Sequence, residues 1–433
     1  VIPGATVAVK GTSTGTISNA SGEFNVSVPG NDAVLSVSFV GYITQEVPVN
    51  GQKNISISLE LADLQLEEIV AVGYGVVKKK DLTGAVASLK SDEIAKTTSS
   101  NAMQAMQAKI PGMDITQASG AAGSAVNITV RGQRSIRASN NPLILVDGVE
   151  YGSTLDINPS DIESMDVLKD ASSTAIYGTR GANGVILITT KRGKAGKTKV
   201  SVNSYISSNT PTNVPRVMYG DQEVQRLIDK ANYQADFTSG NWGTSQLTTQ
   251  DVLTQTLQDG TTELDIYNDK SYTDWADIIL QNGITQNYEV AVLGGNDKTT
   301  YNISLGAMYE EGLMKNDELD RYNGKINIDH KISDVFKVGA SVLYTYKNHD
   351  ARNASVFTQS LKMTTITHPY LNDNTLYETP NPRYAAHCNP LLDEVEGNYV
   401  NNLESTRFFG NSYLEIAPVK DLKFKTLFSL DRS

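Results

Sequence analysis

The C-terminal half of the chain carries a regular two-residue alternation of apolar and polar positions. From Tyr301 to Tyr309, Tyr, Ile, Leu and Ala occupy every second position, and Asn, Ser, Gly and Met lie between them. Because successive side chains of a β-strand point to opposite faces, this pattern predicts strands with one apolar face. The pattern recurs in seven segments, at 199–208, 284–293, 299–309, 322–331, 335–346, 404–416 and 422–431.

Three details of these segments favour a transmembrane barrel over a large soluble β-sandwich, although alternation alone leaves both open. The segments are about ten residues long, against about five or six for an ordinary strand. Tyrosines flank the apolar face, as at Tyr301 and Tyr309, and eight tilted residues span about 20 Å, close to the apolar band of about 25 Å in outer-membrane barrels. Short turns, such as 333–334, alternate with the long connections 209–283 and 348–403.

Both ends of the sequence suggest a larger protein. Seven strands are too few to close a barrel around another domain, and an open sheet edge in lipid leaves backbone groups without partners. We therefore expect the barrel to continue beyond Ser433. The start at Val1–Gly4 has the character of the middle of a domain and carries no signal peptide, so we expect this domain to begin before Val1.

The N-terminal part is predicted to hold a small domain, a linker and a mixed domain before the barrel. Residues 1–62 have the short strands and turn signals of a β-sandwich, 63–80 form a linker, and 81–194 form an α+β domain of about 115 residues. Residues 195–433 are the first portion of the barrel. The strands expected in the sandwich are Ala5–Lys10, Gly15–Ser18, Glu23–Val28, Val34–Phe39 and Ile55–Leu59.

The α+β domain is predicted to alternate short helices with strands. Helical composition is found at 91–93, at 101–109 and at 170–177. A further segment covers 161–168. The strands are expected at 113–117, 126–131, 143–146 and 184–190.

Composition and charge exclude several functional classes. The net charge of −11 argues against nucleic acid as a partner, because phosphate binding needs clustered Lys and Arg. The single Cys388 excludes an internal disulfide and a multi-cysteine metal site. The four histidines lack metal spacing, and no catalytic set stands out, so we expect no metal, no cofactor and no enzymatic activity. The sequence contains no run of 18 or more apolar residues, so it predicts no transmembrane helix.

The central part of the chain carries a set of motifs at 63–80, 81–86, 128–132, 142–149, 158–171 and 176–186. These motifs resemble the plug of SusC-type TonB-dependent transporters, the SusC/RagA family of the Bacteroidetes outer membrane. Residues 1–60 resemble a carboxypeptidase-regulatory-like domain that lacks its first strands, and 273–275 and 294–299 resemble the family's early barrel.

The resemblance implies a fold and a function. The fold is mainly β: a truncated β-sandwich, an α+β plug, and the first seven or so strands of an incomplete antiparallel barrel of about 22 strands. The implied function is TonB-dependent import of an oligosaccharide or a peptide. A SusD-type lipoprotein would cap the barrel, and the strands would contact outer-membrane lipid. TonB and its inner-membrane complex would act on the periplasmic side, where the plug and the N-terminal domain are expected.

One short segment resembles the TonB box, an acidic residue followed by β-forming residues. An extended segment of this kind can add as a strand to a partner sheet. The alternative is a linker that carries one edge strand. The segment consists of Glu68, Ile69, Val70, Ala71 and Val72.

Four charged residues within the family's motifs are candidates for ion pairs that lock the plug to the barrel wall. The alternative is that they satisfy turns within the plug. These candidates are Arg131, Asp147, Asp170 and Arg180.

Other functions remain open on the sequence alone. A passive adhesin would use the same loops but would need neither plug nor TonB box, an enzyme with a regulatory β-domain would need a catalytic set, and a signalling receptor would need an extra domain. The substrate is not readable. Four loop aromatics could stack on it or could simply be packed: Trp275, Tyr370, Tyr377 and Tyr384.

Overall fold

The computed structural model divides the chain into two compact units, one of residues 1–70 and 78–81 and one of residues 71–77 and 82–433. At 69–72 and 75–78 the backbone alone is described. The residues that the structure describes are 2–12, 14–39, 42–59, 69–72, 75–78, 86–152, 155–371, 373–384, 386–419 and 422–433.

The small unit is built on a four-stranded antiparallel sheet. Its strands are β1 (Thr6–Val9), β2 (Gly15–Ile17), β3 (Val34–Ser38) and β4 (Gln45–Pro48), in the order β2-β1-β3-β4. Alternate residues of β1 and β3 are buried on one face, so their β-branched and leucine side chains form the core of this unit.

Two strands predicted for this unit are absent from its ladder. Residues 23–28 and 55–59 make no strand, although their alternate apolar side chains pack against the core. The alternation therefore indicates which side chains are buried in the core, but not which backbone groups pair in the sheet. The observed β4 was not predicted, because its sequence is polar and ends in proline.

Residues Ile69–Val72 (β5) and Gly75–Lys78 (β6) form a two-stranded sheet, whereas the alternative interpretation of the sequence was a linker with a single edge strand. The next domain, residues 86–194, is called the central domain. Its main sheet has the order β11-β10-β13-β12-β7, with β10 and β13 parallel. The central-domain strands are β7 (Val86–Lys90), β8 (Met113–Gln117), β9 (Val126–Val130), β10 (Leu143–Val146), β11 (Val149–Glu150), β12 (Ile162–Leu168) and β13 (Val185–Thr190).

The predicted helices of the central domain are shorter than expected. The segment at 101–109 holds only the 3-10 helix Ala102–Met106, and the segment at 170–177 holds α2 (Ala171–Thr174) followed by the 3-10 helix Ala175–Gly181. Gly178, at φ +58°, interrupts the latter, a conformation that glycine adopts readily. The predicted turn at 91–93 belongs to α1 (Ser91–Ala95), and a further 3-10 turn covers Pro159–Asp161.

The C-terminal part is one antiparallel sheet of seven strands in sequential order, as predicted. The connections 210–282, 312–317 and 351–401 lie at one end, called the long-loop end, and 296–298 and 332–335 lie at the short-turn end. The strands are β14 (Gly196–Asn209), β15 (Gly283–Gly295), β16 (Thr299–Glu311), β17 (Glu318–Lys331), β18 (Phe336–Asp350), β19 (Asn402–Val419) and β20 (Leu422–Arg432).

The two faces of this sheet differ in the way the alternation predicts. Apolar side chains such as Ile303, Leu305 and Ile326 are exposed on the outer face. Polar side chains such as Asn302 and Lys325 lie on the inner face, where the central domain covers them. The sheet is therefore polar inside and apolar outside, the reverse of a soluble β-sandwich.

The two long connections are folded together at the long-loop end. They contain α3 (Asp221–Ser239), α4 (Thr249–Val252), α5 (Glu263–Asp269), α6 (Trp275–Ile279) and α7 (Ser355–Ser360). Residues from both connections share a buried core, including Leu227 and Ile266 from the first and Ile366 and Tyr377 from the second. Within the described ranges, no helix has the length and apolar composition that crossing a membrane requires.

Candidate functional site

The interface between the central domain and the inner face of the sheet is rich in buried charge. Lys325 of β17 places its Nζ 3.4 Å from Asp161 Oδ1 and 3.0 Å from the carbonyl oxygen of Lys191. Ser304 of β16 donates a hydrogen bond of 2.6 Å to the same Asp161 oxygen. A buried ammonium group must be paired and hydrogen-bonded, and here the central domain supplies both partners.

A second charged contact lies near the C-terminal end of the central domain. Arg192 Nη1 is 3.1 Å from Asp329 Oδ1 on β17, and Arg192 Nη2 is 3.6 Å from Asp147 Oδ2. Tyr413 of β19 donates to Asp329. Burial disfavours the charged guanidinium of Arg192, but Asp147 and Asp329 outweigh that effect and raise its pKa. Arg192 therefore connects a carboxylate of the central domain with one of the sheet.

A third contact centres on Asp156, which is buried. Lys347 Nζ of β18 lies 2.9 Å from its Oδ1, and Arg407 Nη1 of β19 lies 3.8 Å from its Oδ2. The backbone carbonyl of Asp156 accepts a hydrogen bond of 2.8 Å from Asn323 of β17. The Arg407 guanidinium also lies over the ring of Tyr151, 3.6 Å from its centroid. Three strands of the sheet thus hold one residue of the central domain.

The four residues predicted to lock the plug form pairs inside the central domain. Arg131 pairs with Asp170, and Arg180 pairs with Glu150. Asp147 accepts hydrogen bonds from the backbone and hydroxyl of Thr190, at 2.9 and 2.8 Å. Asp147 also reaches the sheet indirectly, through Arg192. These pairs fit the alternative that the four residues support turns; a locking role remains a prediction.

The residues that form the contacts between the central domain and the sheet were not singled out from the sequence. Lys325 and Asp329 share the inward face of one predicted strand, so charged residues at inward positions were a usable signal. Their partners on the central domain could not be read in the same way, because docking decides which loop faces which strand. The missed residues are Asp156, Asp161, Arg192, Lys325, Asp329 and Lys347.

The candidate TonB box is described only in part. Glu68 lies outside the described residues, while Ile69–Val72 is strand β5. Its pairing with β6 shows that this segment adopts an extended backbone that can pair with another strand.

The four loop aromatics suggested for substrate contact have different surroundings. Trp275 and Tyr377 are buried, and Trp275 donates to the carbonyl of Thr364. The Tyr384 hydroxyl accepts a hydrogen bond of 2.8 Å from Arg226 and donates one of 3.1 Å to Glu223. Tyr370 is exposed. Packing therefore explains at least Trp275 and Tyr377.

Comparison with known proteins assigns both N-terminal regions. The CarboxypepD_reg-like domain matches residues 1–71, and the TonB-dependent Receptor Plug Domain matches residues 78–185. The chain is 37% identical over 336 residues to the TonB-dependent receptor SusC of Bacteroides thetaiotaomicron, covering 75% of this chain and 30% of that protein. It is 32% identical over 442 residues to the TonB-dependent receptor P26 of Formosa agariphila, covering all of this chain but 41% of that protein.

The similarity extends to solved structures. The RagAB peptide importer in its open-open state is 26% identical, with a TM-score of 0.67 over 84% of this chain and 42% of that chain. A plug domain on the polar inner face of a barrel-type sheet defines the class of plugged outer-membrane receptors. Within it, the chain belongs to the SusC-type TonB-dependent receptors. The family resemblance and the fold class are confirmed, and the central domain is hereafter called the plug.

Proposed function

We propose that the protein imports a large nutrient, an oligosaccharide or a peptide, across the outer membrane, and that it acts as a transporter and not as an enzyme. The observation that carries the proposal is a plug held by buried polar contacts on the inner face of a sheet whose outer face is apolar. An apolar outer face suits contact with lipid, and a polar inner face suits a passage filled by a plug.

The chemistry of the interface suits a plug that leaves its place and returns. Lys325 and Lys347 of the sheet bind carboxylates of the plug, and Arg192 of the plug binds Asp329 of the sheet, through ion pairs and hydrogen bonds. Breaking such a pair is costly when either partner is left buried and alone, but water can solvate both charges once the interface opens. We propose that the plug is thus held firmly at rest and released by force.

The force is proposed to come from TonB, acting on the segment from Glu68 to Val72. The strand β5 within it has the extended backbone that addition to a partner sheet requires. We place this segment, the N-terminal domain and the plug on the periplasmic side.

A SusD-type lipoprotein is the proposed partner at the long-loop end. The family resemblance and the similarity to the RagAB importer support this partner. The folded connections 210–282 and 351–401 offer a surface for it and for the nutrient. An exposed aromatic group, formed by Tyr233, Phe237 and Trp242, is the proposed contact for sugar rings or peptide side chains.

Deletion of residues 68–72 from the full-length protein tests the coupling. We expect normal assembly in the outer membrane but loss of growth on oligosaccharide or peptide mixtures that depend on this protein. Val70→Pro should reproduce the loss, because proline interrupts strand addition, while Val70→Thr, which keeps β-propensity, serves as the matched control. Normal uptake by the deletion would refute the assignment of the TonB box.

A further inference from the structure

The short connection 312–317, between β16 and β17, is enclosed by the plug and by both long loops. It is hydrogen-bonded to each of these three parts of the chain. We infer that this connection, called the relay, transmits rearrangement of the loops to the plug. The inference rests on the proposed import function, because it supplies the step from nutrient capture at the loops to release of the plug.

On the plug side, Asp317 is the central residue of the relay. It is 1% exposed, and its Oδ2 accepts the backbone N–H of Ala122 in the plug at 3.0 Å. Its Oδ1 lies 2.9 Å from His349 Nε2 of β18. The backbone N–H of Leu313 donates to the carbonyl of Gly120 at 2.8 Å. The plug loop is therefore bound through both its N–H and C=O groups.

The space around this contact is filled. A Cβ added at Gly312 would lie 2.8 Å from Asp317 Cγ and 3.0 Å from the Ala122 nitrogen, so only glycine fits without a shift. The buried carboxylate of Glu310 accepts the N–H of Gly123 at 3.2 Å. A small apolar cluster of Ala122, Met308 and Leu319 packs beside these bonds. Movement of the relay must therefore displace the plug loop, because close-packed contacts transmit displacement.

The first long loop contacts the opposite side of the relay. The backbone N–H of Gln281 donates to the carbonyl of Leu313 at 2.9 Å, and Lys315 N–H donates to the carbonyl of Ile279 at 3.2 Å. Leu313 thus accepts from the loop through its C=O and donates to the plug through its N–H. One peptide segment is shared by both partners.

The second long loop contacts the relay through Arg352. Its Nη1 donates to the carbonyl of Lys315 at 2.8 Å and lies 2.9 Å from Glu394 Oε1, while its Nη2 donates to the carbonyl of Pro390 at 3.1 Å. The Arg352 side chain is buried. A displacement of the 390–394 segment would therefore pull on the relay at Lys315.

Hydrogen exchange of the full-length protein in detergent, without nutrient or TonB, tests the relay. Arg352→Ala should accelerate amide exchange in plug residues 118–124 about threefold, within the range of coupling measured between linked sites. Asp317→Ala, which removes the acceptor itself, should accelerate exchange of the Ala122 amide about tenfold. Asp317→Asn keeps an acceptor oxygen and should have a smaller effect, so a result is available even if the alanine variant fails to fold.

Arg383→Ala is the matched control for Arg352→Ala. Arg383 is also a loop arginine with a carboxylate partner: its guanidinium donates to both carboxylate oxygens of Glu263, at 3.0 and 2.6 Å, and to the carbonyl of Val252 at 2.6 Å. Exchange in 118–124 should stay unchanged in this variant. Equal acceleration by both arginine variants, or none by Arg352→Ala, would overturn the relay. Because the measurement involves no transport, either result leaves the import proposal to the uptake experiment.

Discussion

Lys325 and Asp161 form an ion pair across the plug interface, with 1% and 5% of their side chains exposed. Lys325 belongs to the seven-stranded sheet and Asp161 to the plug, so the pair exists only while the two are docked. Hydrogen bonds from Ser304 to Asp161, and from Lys325 to the carbonyl of Lys191, complete the surroundings of both charges. Docking stability should therefore depend strongly on this pair.

Lys325→Met should weaken plug docking by about 3–5 kcal/mol, because it leaves the Asp161 carboxylate buried without its cation. The measurement is the urea dependence of hydrogen exchange in β12 and β13 of the full-length protein. Lys298→Met, in an exposed turn, is the control and should change nothing. Adding Asp161→Asn to Lys325→Met should recover part of the loss; a single-variant loss below about 1 kcal/mol would contradict the central role of the pair.

The strands of the seven-stranded sheet were predictable because alternation is a local property of the sequence. All seven were found, but each strand is longer than its prediction or shifted at its ends; β19 runs from Asn402 to Val419. The apolar pattern covers only the band expected in lipid, whereas the backbone ladder continues through polar residues beyond it. The hydrophobic signal therefore ends before the strand does.

The plug contacts and the loop helices were not predictable in this way. Lys325 meets Asp161 only because docking brings a loop at the start of β12 against the middle of β17. Helix α3 lies in a region interpreted as a loop, and its buried positions, such as Val224 and Leu227, face a core completed by the second long connection. Such helices owe their stability to tertiary packing, which residue patterns report poorly.

Gly306→Val should also weaken docking, by about 1–3 kcal/mol through overpacking. A Cβ at this inward position of β16 would lie 2.7 Å from Nδ2 of Asn158, which is buried in the plug. Gly324→Val is a closely matched control, since Gly324 faces outward on β17 and its Cβ would be 3.6 Å from Leu305 Cδ2. The same exchange measurement applies, and equal effects of the two variants would exclude a steric role of the plug contact.

Leu305→Arg should impair assembly in the outer membrane, because Leu305 is 66% exposed on the outer face of β16. An arginine on the lipid face near the middle of the membrane costs about 2–4 kcal/mol in barrel stability. The folded fraction can be measured by heat-modifiable mobility of outer-membrane extracts. Asp297→Arg, in a short turn, should assemble normally. Equal assembly of both variants would argue against a lipid-facing position for Leu305.

The turn after α3 depends on one carboxylate. Asp236 accepts the backbone N–H of Gly243 at 2.7 Å and that of Ser245 at 2.8 Å. The hydrogen bond from the Ser245 side chain is the largest influence on the pKa of Asp236 and lowers it; burial opposes this effect, and backbone hydrogen bonds from Ser245, Gly243 and Thr244 lower the pKa further. Trp242 lies within this turn and is exposed, so its fluorescence can report the order of the turn.

A lowered pKa means that the folded turn prefers the charged carboxylate. The stabilisation is complete above the ordinary aspartate pKa of about 3.9 and is lost as pH falls through the lowered value. Acid titration of Trp242 fluorescence should therefore show a transition with its midpoint below about 3.9. Asp236→Asn should abolish this transition, whereas Asp229→Asn on the same helix, where the carboxylate accepts from Gln225 at 2.8 Å, should retain it. A midpoint above the ordinary value, or an unchanged transition in Asp236→Asn, would show that another group controls the turn.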